Sequence, residues 1–279
     1  MNGVKTFILI MVMTGVLVLI GNRFFGQGGT ILALLLAIVL NGVSYFFSDR
    51  IVLAVYRARI VGPQEAPELH AIVANLAQRA GLPMPRVAII PDESPNAFAT
   101  GRNPEHAVVA ATEGIMRALS RPELEAVLAH EMGHVKHRDI LIGSLAAVLA
   151  QAIMLLSRLA FWFGPRGNDR EGSALGGILV MILGPIAAIL LQMAISRSRE
   201  FEADAYSAHL TGRPDLLVSA LGRLEAGSRQ LPMRDARPAT AHLMIVSPLR
   251  GGGLFSLFST HPPLAARIAR LNAMPIEMR

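Results

Sequence analysis

Residues 130–134 read His130-Glu131-Met132-Gly133-His134. Two histidines four apart on a helix project from one face, about one turn from each other. Both imidazoles then reach a single ion at about 2.0–2.1 Å. Glu131, beside the first histidine, is placed to take a proton from an attacking water rather than to bind metal. The chemistry of such a cluster is metal-assisted hydrolysis; the plain alternative is a helix with two packed histidines. A helix is what the flanking residues specify. Ser120 stands as N-cap, Pro122 in the first turn and Glu123 three residues on, a capping box.

A catalytic zinc keeps three protein ligands and one open position. The 279 residues include no cysteine, so the third ligand is a histidine or a carboxylate. His137 lies on the same face as His130. A rise of about 1.5 Å per residue nevertheless puts it about 10 Å along the axis, too far to share one ion. A glycine turn before a third histidine is absent, because Ile140 occupies that place. The best source is Glu200-Phe201-Glu202-Ala203-Asp204. Glu200 and Asp204 are one turn apart, so Glu200 ligates while Asp204 accepts the spare N–H of a ligand histidine and fixes its tautomer. Glu202 is rotated away. A charge-rich helix just outside a membrane is the alternative reading of this stretch. His70, His106, His209 and His242 have no partner pattern.

The elements that must position these residues are written in the composition. Hydrophobic residues make up 52% and charged residues 16% of the chain, the formal net charge is +6 and the mean hydropathy is +0.46. A soluble domain carries about 25% charged residues, so this balance excludes a disordered chain and, with no cysteine, a disulfide-stapled fold. The apolar excess sits in four stretches, 6–20, 30–47, 140–157 and 174–195. Crossing a bilayer takes about 20 apolar residues. The first stretch has no small-x-small cleavage site after it and reads as an uncut anchor rather than a signal peptide. The third needs Arg158 to snorkel, with Phe161, Trp162 and Phe163 as an interfacial belt; its alternative is a buried core helix.

Arg50, Arg57 and Arg59 follow the second stretch, Lys136 and Arg138 precede the third, and Arg197 and Arg199 follow the fourth. The positive-inside rule therefore puts both large polar segments in the cytoplasm. Aromatic residues are 5% and do not interleave with a basic stripe, so nucleic-acid binding is not expected. The expected fold is a mainly α integral membrane protein, with four transmembrane helices and a cytoplasmic α+β zincin-like catalytic domain holding a small antiparallel sheet. Its parts are a hairpin at 1–48, the first catalytic part at 49–139, a second hairpin at 140–195, and the second catalytic part at 196–279. The second hairpin returns the two site-bearing helices to one side as neighbours.

Within the polar segments, apolar spacing and the Gly81–Pro83 stop predict a helix over 67–80. Short strand-like runs follow at 87–90, 96–100 and 107–112, read as an antiparallel meander. The capped helix from Ser120 is expected to run on into the third span. Further helices are expected over 196–210, 215–225 and 264–271, with a loop from 226 to 258.

Taken together, His130-Glu131-Met132-Gly133-His134, residues 196–204 (SRSREFEAD), His261-Pro262-Pro263 and residues 95–101 (PNAFATG) resemble the HtpX group of membrane zinc endopeptidases, related to the CAAX prenyl proteases. The resemblance covers nearly the whole chain. It implies one zinc ion held by His130, His134 and Glu200, with Glu131 as the base. It implies that Asn96, Ala97 and Phe98 lie on an edge strand to which an extended substrate adds. His261 resembles a family histidine that approaches the site and hydrogen-bonds the oxyanion, although a lone histidine before Pro-Pro equally suits a helix cap. His137 departs from the family, which more often has asparagine there. The resemblance further implies polypeptide substrates, membrane proteins that are damaged or misassembled, and a multi-pass place in the bacterial inner membrane with a part in stress response.

Three other readings compete. A prenyl-peptide protease needs a large intramembrane chamber, for which four short spans leave little room. A silent membrane scaffold tied by metal has no use for Glu131. A metal transporter wants ionisable residues inside its spans, and only Asn41, Gln151, Gln192 and the edge residue Arg158 are candidates.

Overall fold

The computed structural model describes residues 2–150, 197–233, 240, 243–246 and 262–274. The chain begins with α1, Asn2–Val55, which turns back on itself at Gly26 (φ 61°, ψ −148°). Only glycine adopts that backbone without strain. The reversal is plain from the Asn41 amide, which donates to the Thr14 hydroxyl at 3.1 Å across 27 residues. The halves thus form the N-terminal hairpin that the first two apolar stretches anticipate, and the second half continues unbroken past residue 48. Gly26–Val55 is long and apolar enough to cross a bilayer, and Thr6–Leu19 is a shorter apolar helix. Ile31, Leu32, Leu35, Ile38 and Val39 are exposed on the longer half, an outward apolar face that suits lipid rather than water.

Beyond α1 come β1 (Arg59–Ile60), α2 (Pro67–Ala80), β2 (Arg86–Ile90), β3 (Ala97–Thr100), β4 (Val108–Thr112), α3 (Glu113–Ala118) and α4 (Arg121–Lys136). An apolar helix, α5, is described over Ile140–Ala150. Then follow α6 (Arg197–Thr211), α7 (Pro214–Gln230) and α8 (Leu264–Asn272). Of the four expected spans, the rest of the third and all of the fourth lie outside the described residues.

The sheet is mixed, not the antiparallel meander expected from the sequence. Its order is β1-β2-β4-β3, with β2 and β4 parallel and the outer pairs antiparallel. A parallel pair needs a crossover of a dozen or more residues. Residues 91–107 supply one, and they carry β3 within it, so β3 folds back onto β4 and ends on the outer edge. Alternation along the strands gives the sheet two buried faces. Val87, Ala97, Ala99, Val109 and Ala111 pack with α2, α4 and α7. Ala88, Ile90, Phe98, Val108 and Ala110 pack with Val52, Leu53 and Tyr56 at the end of α1.

The capping box of α4 is present, with the Ser120 N–H donating to Glu123 at 2.9 Å. The helix does not run on into the third span. It ends at Lys136, His137 caps it, and Arg138 takes a left-handed conformation (φ 58°) before α5 begins. Two further departures are small. Glu113–Ala118 forms a helix capped by the Thr112 side chain, which accepts from Ile115 N–H at 3.0 Å. α7 continues to Gln230, five residues into the stretch read as a loop.

Candidate active site

The histidines lie on α4 and Glu200 in the first turn of α6, and these two helices pack closely. Small residues permit the approach. A Cβ on Gly133 would stand 3.2 Å from Ala203 Cα and 3.3 Å from the Tyr206 side chain. Lower down, the Ser207 hydroxyl donates to the Ala126 carbonyl at 2.6 Å and fixes the two helices along their axes.

One donor atom from each of His130, His134 and Glu200 lies within 4.8 Å of the other two. Glu200 reaches both imidazoles, at 3.8 Å from His130 Nε2 and 3.6 Å from His134 Nε2. Ligands at about 2.0–2.1 Å in a tetrahedral zinc site lie about 3.4 Å apart, so this spacing suits one ion after a small contraction. The chemistry of the set, two imidazoles and a carboxylate, also suits zinc.

Behind each histidine stands an aspartate, and behind each aspartate an arginine. His130 Nδ1 is 2.9 Å from Asp204, the tautomer-fixing contact that the sequence assigns to Asp204. Arg267 grips Asp204 with two hydrogen bonds, 2.9 Å from Nε and 2.6 Å from Nη2. Burial opposes ionisation of Asp204, but the hydrogen bonds from Arg267 and His130 outweigh it and hold the carboxyl at about 2. His134 Nδ1 makes a longer contact, 3.5 Å, with Asp139, which receives Arg199 at 3.2 Å. The break after α4 sets Asp139 there, with its N–H on the His134 carbonyl at 2.9 Å. Asp139, Arg199 and Arg267 were missed by the motif reading. Arg267 had a signal, because it shares the apolar stripe of α8 with Leu264 and Leu271.

Glu131 is buried beside the cluster. Burial pushes its carboxyl up to about 8, with His134 opposing and Glu200 reinforcing the rise, while the Ala99 N–H donates to it. Burial lowers His130. Burial acts the same way on His134, but Asp139, Glu200 and Glu131 reverse it and raise the imidazole to about 9.

Of the expected substrate residues, β3 carries Ala97 and Phe98 along the sheet edge next to α4. Thr112 N–H donates to the Asn96 carbonyl, so alternation turns the backbone groups of Phe98 inward to Ala110 and those of Ala97 and Ala99 outward. The Phe98 ring faces away from α4, 5.6 Å from Tyr56. Asn96 is buried beside the edge. His137 is not brought to the centre; its ring lies edge-on to Tyr206 at 5.6 Å. His261 lies outside the described residues.

A sequence profile of Peptidase family M48 matches residues 63–275. The chain belongs to peptidase family M48. This M48 chain is 54% identical over 279 residues to a protease HtpX homolog of Pyrococcus furiosus, covering 99% of the chain and 96% of that protein. It is likewise 54% identical over 279 residues to a protease HtpX homolog of Thermococcus kodakarensis, covering 98% and 96%. For the protease HtpX homolog of Syntrophotalea carbinolica the identity is 53% over 284 residues, covering 99% and 100%. In fold, the peptidase is similar to S. mikatae Ste24p, with a TM-score of 0.53 and 20% identity. The match takes in 97% of this chain and spans 65% of Ste24p. The HtpX resemblance read from the motifs is thereby established, and the chain is a membrane metalloprotease.

Proposed function

We propose that the chain is a zinc endopeptidase that cleaves polypeptides at the cytoplasmic membrane surface, with damaged or misfolded membrane proteins as substrates. The observation that carries this reading is the convergence of His130, His134 and Glu200 donor atoms within 4.8 Å, with the buried carboxyl of Glu131 beside them. His130, His134 and Glu200 would hold the ion. When bound, zinc supplies Lewis acidity toward the scissile carbonyl and the attacking water.

The rest of the work falls to the chain's own groups. Glu131, buried beside the three ligands, accepts a proton from the attacking water and delivers it to the leaving amine. Asp204 and Asp139 keep the histidines oriented, and Arg267 and Arg199 keep the aspartates ionised. The outward Ala97 and Ala99 carbonyls pair with an extended substrate, while the Ala99 N–H stays on Glu131. His261 is assigned to the oxyanion on family resemblance alone.

The cytoplasmic placement, the four-span layout and the inner bacterial membrane rest on charge placement and on the outward apolar face of α1. A role in membrane-protein quality control under stress rests on the resemblance. The deciding experiment is zinc-dependent cleavage of a membrane-protein substrate in detergent by wild type and Glu131→Gln. Glu131→Gln keeps its zinc and loses cleavage by 1,000-fold or more, on the order of what removal of a central acid–base group costs. Full proteolysis by that variant overturns the assignment.

A further inference from the structure

The outer edge of β3 is not empty. Ile245 N–H donates to the Ala97 carbonyl at 3.2 Å. The Asn96 side-chain amide donates to the Val246 carbonyl at 2.8 Å and accepts from Val246 N–H at 3.4 Å. Residues 243–246 therefore meet Asn96 and Ala97 as a short added strand would, using the groups that the reading above assigns to substrate. Leu243 sits in a 3-10 turn, its N–H on the Thr240 carbonyl at 3.1 Å, and residues 244–246 belong to no helix or strand. Its anchors lie on both sides of the edge. Met244 is buried in the cluster with Val52, Leu53 and Phe98, and the Tyr56 hydroxyl donates to the Thr240 hydroxyl at 2.6 Å. On the other side the Ile245 carbonyl accepts from Arg267 Nη1 at 3.2 Å.

We propose that residues 243–246 are a self-strap, a displaceable stand-in for the substrate that covers the Ala97 half of the β3 edge. This inference rests on the reading of β3 as the substrate-docking edge. An extended peptide offers Ala97 the same kind of N–H that Ile245 offers, and to displace the strap it must also offset the Asn96 and Arg267 bonds and the burial of Met244 and Ile245. Losing the Ile245 carbonyl leaves Arg267 still forked on Asp204, so the metal-binding cluster survives departure of the strap. The Ile245 side chain is fully buried in the core beside Ala97 and Ala99. Its departure opens an apolar pocket, and the substrate residue that pairs with Ala97 is accordingly a large apolar one.

The test uses the full chain in detergent, loaded with zinc. Ile245→Pro removes the N–H that holds Ala97, and Thr240→Val removes the tie to Tyr56. Each raises kcat/KM on unfolded casein about 2- to 10-fold, the span expected for loss of one net hydrogen bond, with unchanged zinc content. Cleavage-site sequencing shows a large apolar residue enriched at one fixed position from the scissile bond. Unchanged or lower kcat/KM in zinc-replete, folded variants overturns the strap.

A second measurement avoids altering the strap. In Glu131→Gln, amide hydrogen exchange is compared with and without excess casein. Release predicts faster exchange over 243–246 and slower exchange over 97–99. Protection of 97–99 with no release of 243–246 sinks the strap and leaves the docking edge standing. No change at 97–99 despite bound casein removes the docking edge and the strap with it. Absence of zinc-dependent cleavage by wild type is a separate failure, that of the protease reading itself.

Discussion

At the scale of single residues, the centre is built from carboxylates with opposed duties. Asp204 is held ionised by Arg267, whereas Glu131 is pushed up to about 8 by burial. One orients an imidazole, and the other moves protons. Asp204→Asn keeps the volume but removes the charge that Arg267 and His130 face. It lowers zinc affinity about 10- to 100-fold, as loss of an orienting carboxylate does, and leaves the Arg267 guanidinium buried without its partner, at a cost of about 3–5 kcal/mol. A chelator competition and a thermal melt read the two effects separately. The folded pKa of Asp204, about 2, lies below its unfolded value. Its contribution to stability is thus complete above about pH 4 and is lost as pH falls toward 2. His134 shifts the other way, to about 9 without metal. Zinc therefore competes with a proton on His134, and affinity falls as the pH is lowered. Calorimetry in buffers of different ionisation enthalpy should register at least one proton released per zinc; no release would mean a neutral imidazole from the start.

At the scale of elements, the centre depends on how near α6 comes to α4, and Gly133 sets that distance. A Cβ there would meet Ala203 and Tyr206 at 3.2–3.3 Å, so Gly133→Ala asks the neighbours to give by a few tenths of an ångström. Gly133→Val adds two methyl groups where no space exists and pushes α6 outward, taking Glu200 with it. Zinc content per chain stays near one in Gly133→Ala and drops well below it in Gly133→Val; full loading of Gly133→Val would show that the approach is not limiting. Much at this scale is legible in the sequence. The capping box at Ser120, the spacing of His130 and His134, and the one-turn interval from Glu200 to Asp204 are local features, and local geometry decides them. The break at 137–139 is not legible, because neither glycine nor proline marks it and Arg138 takes the left-handed turn instead. The mixed sheet escapes for a different reason. Period-two runs identify strands but carry nothing about partners, and β2 pairs with β4 across the intervening β3. Arg267 was visible as a charge on an apolar stripe, but its partner lies 63 residues away.

At the scale of the whole molecule, the anchor and the catalytic fold share a core. Val52, Leu53 and Tyr56 at the end of α1 cover the sheet face formed by Ala88, Phe98, Val108 and Ala110. The Arg86 side chain ties β2 to Asp49 of α1 at 2.5 Å. The opposite face of the same sheet lies against α4. The strand beside Glu131 is therefore clamped between α4, which carries His130 and His134, and the end of α1. A catalytic fragment starting at residue 59 loses that cover and exposes an apolar sheet face, with Ile90, Phe98 and Val108, to water. Such a fragment should aggregate, or exchange its β3 and β4 amides orders of magnitude faster than the full chain in detergent. Tyr56→Ala in the full chain isolates the packing from the anchor, and deleting an aromatic ring from a core costs about 3–5 kcal/mol. Because the ring sits on Phe98 of the edge strand β3, the loss should appear first as faster exchange at residues 97–100, with α2 little changed. Uniform loosening of both would make Tyr56 an ordinary core residue; a soluble fragment from residue 59 that binds zinc and cleaves casein as well as the full chain would remove the anchor from the catalytic fold altogether.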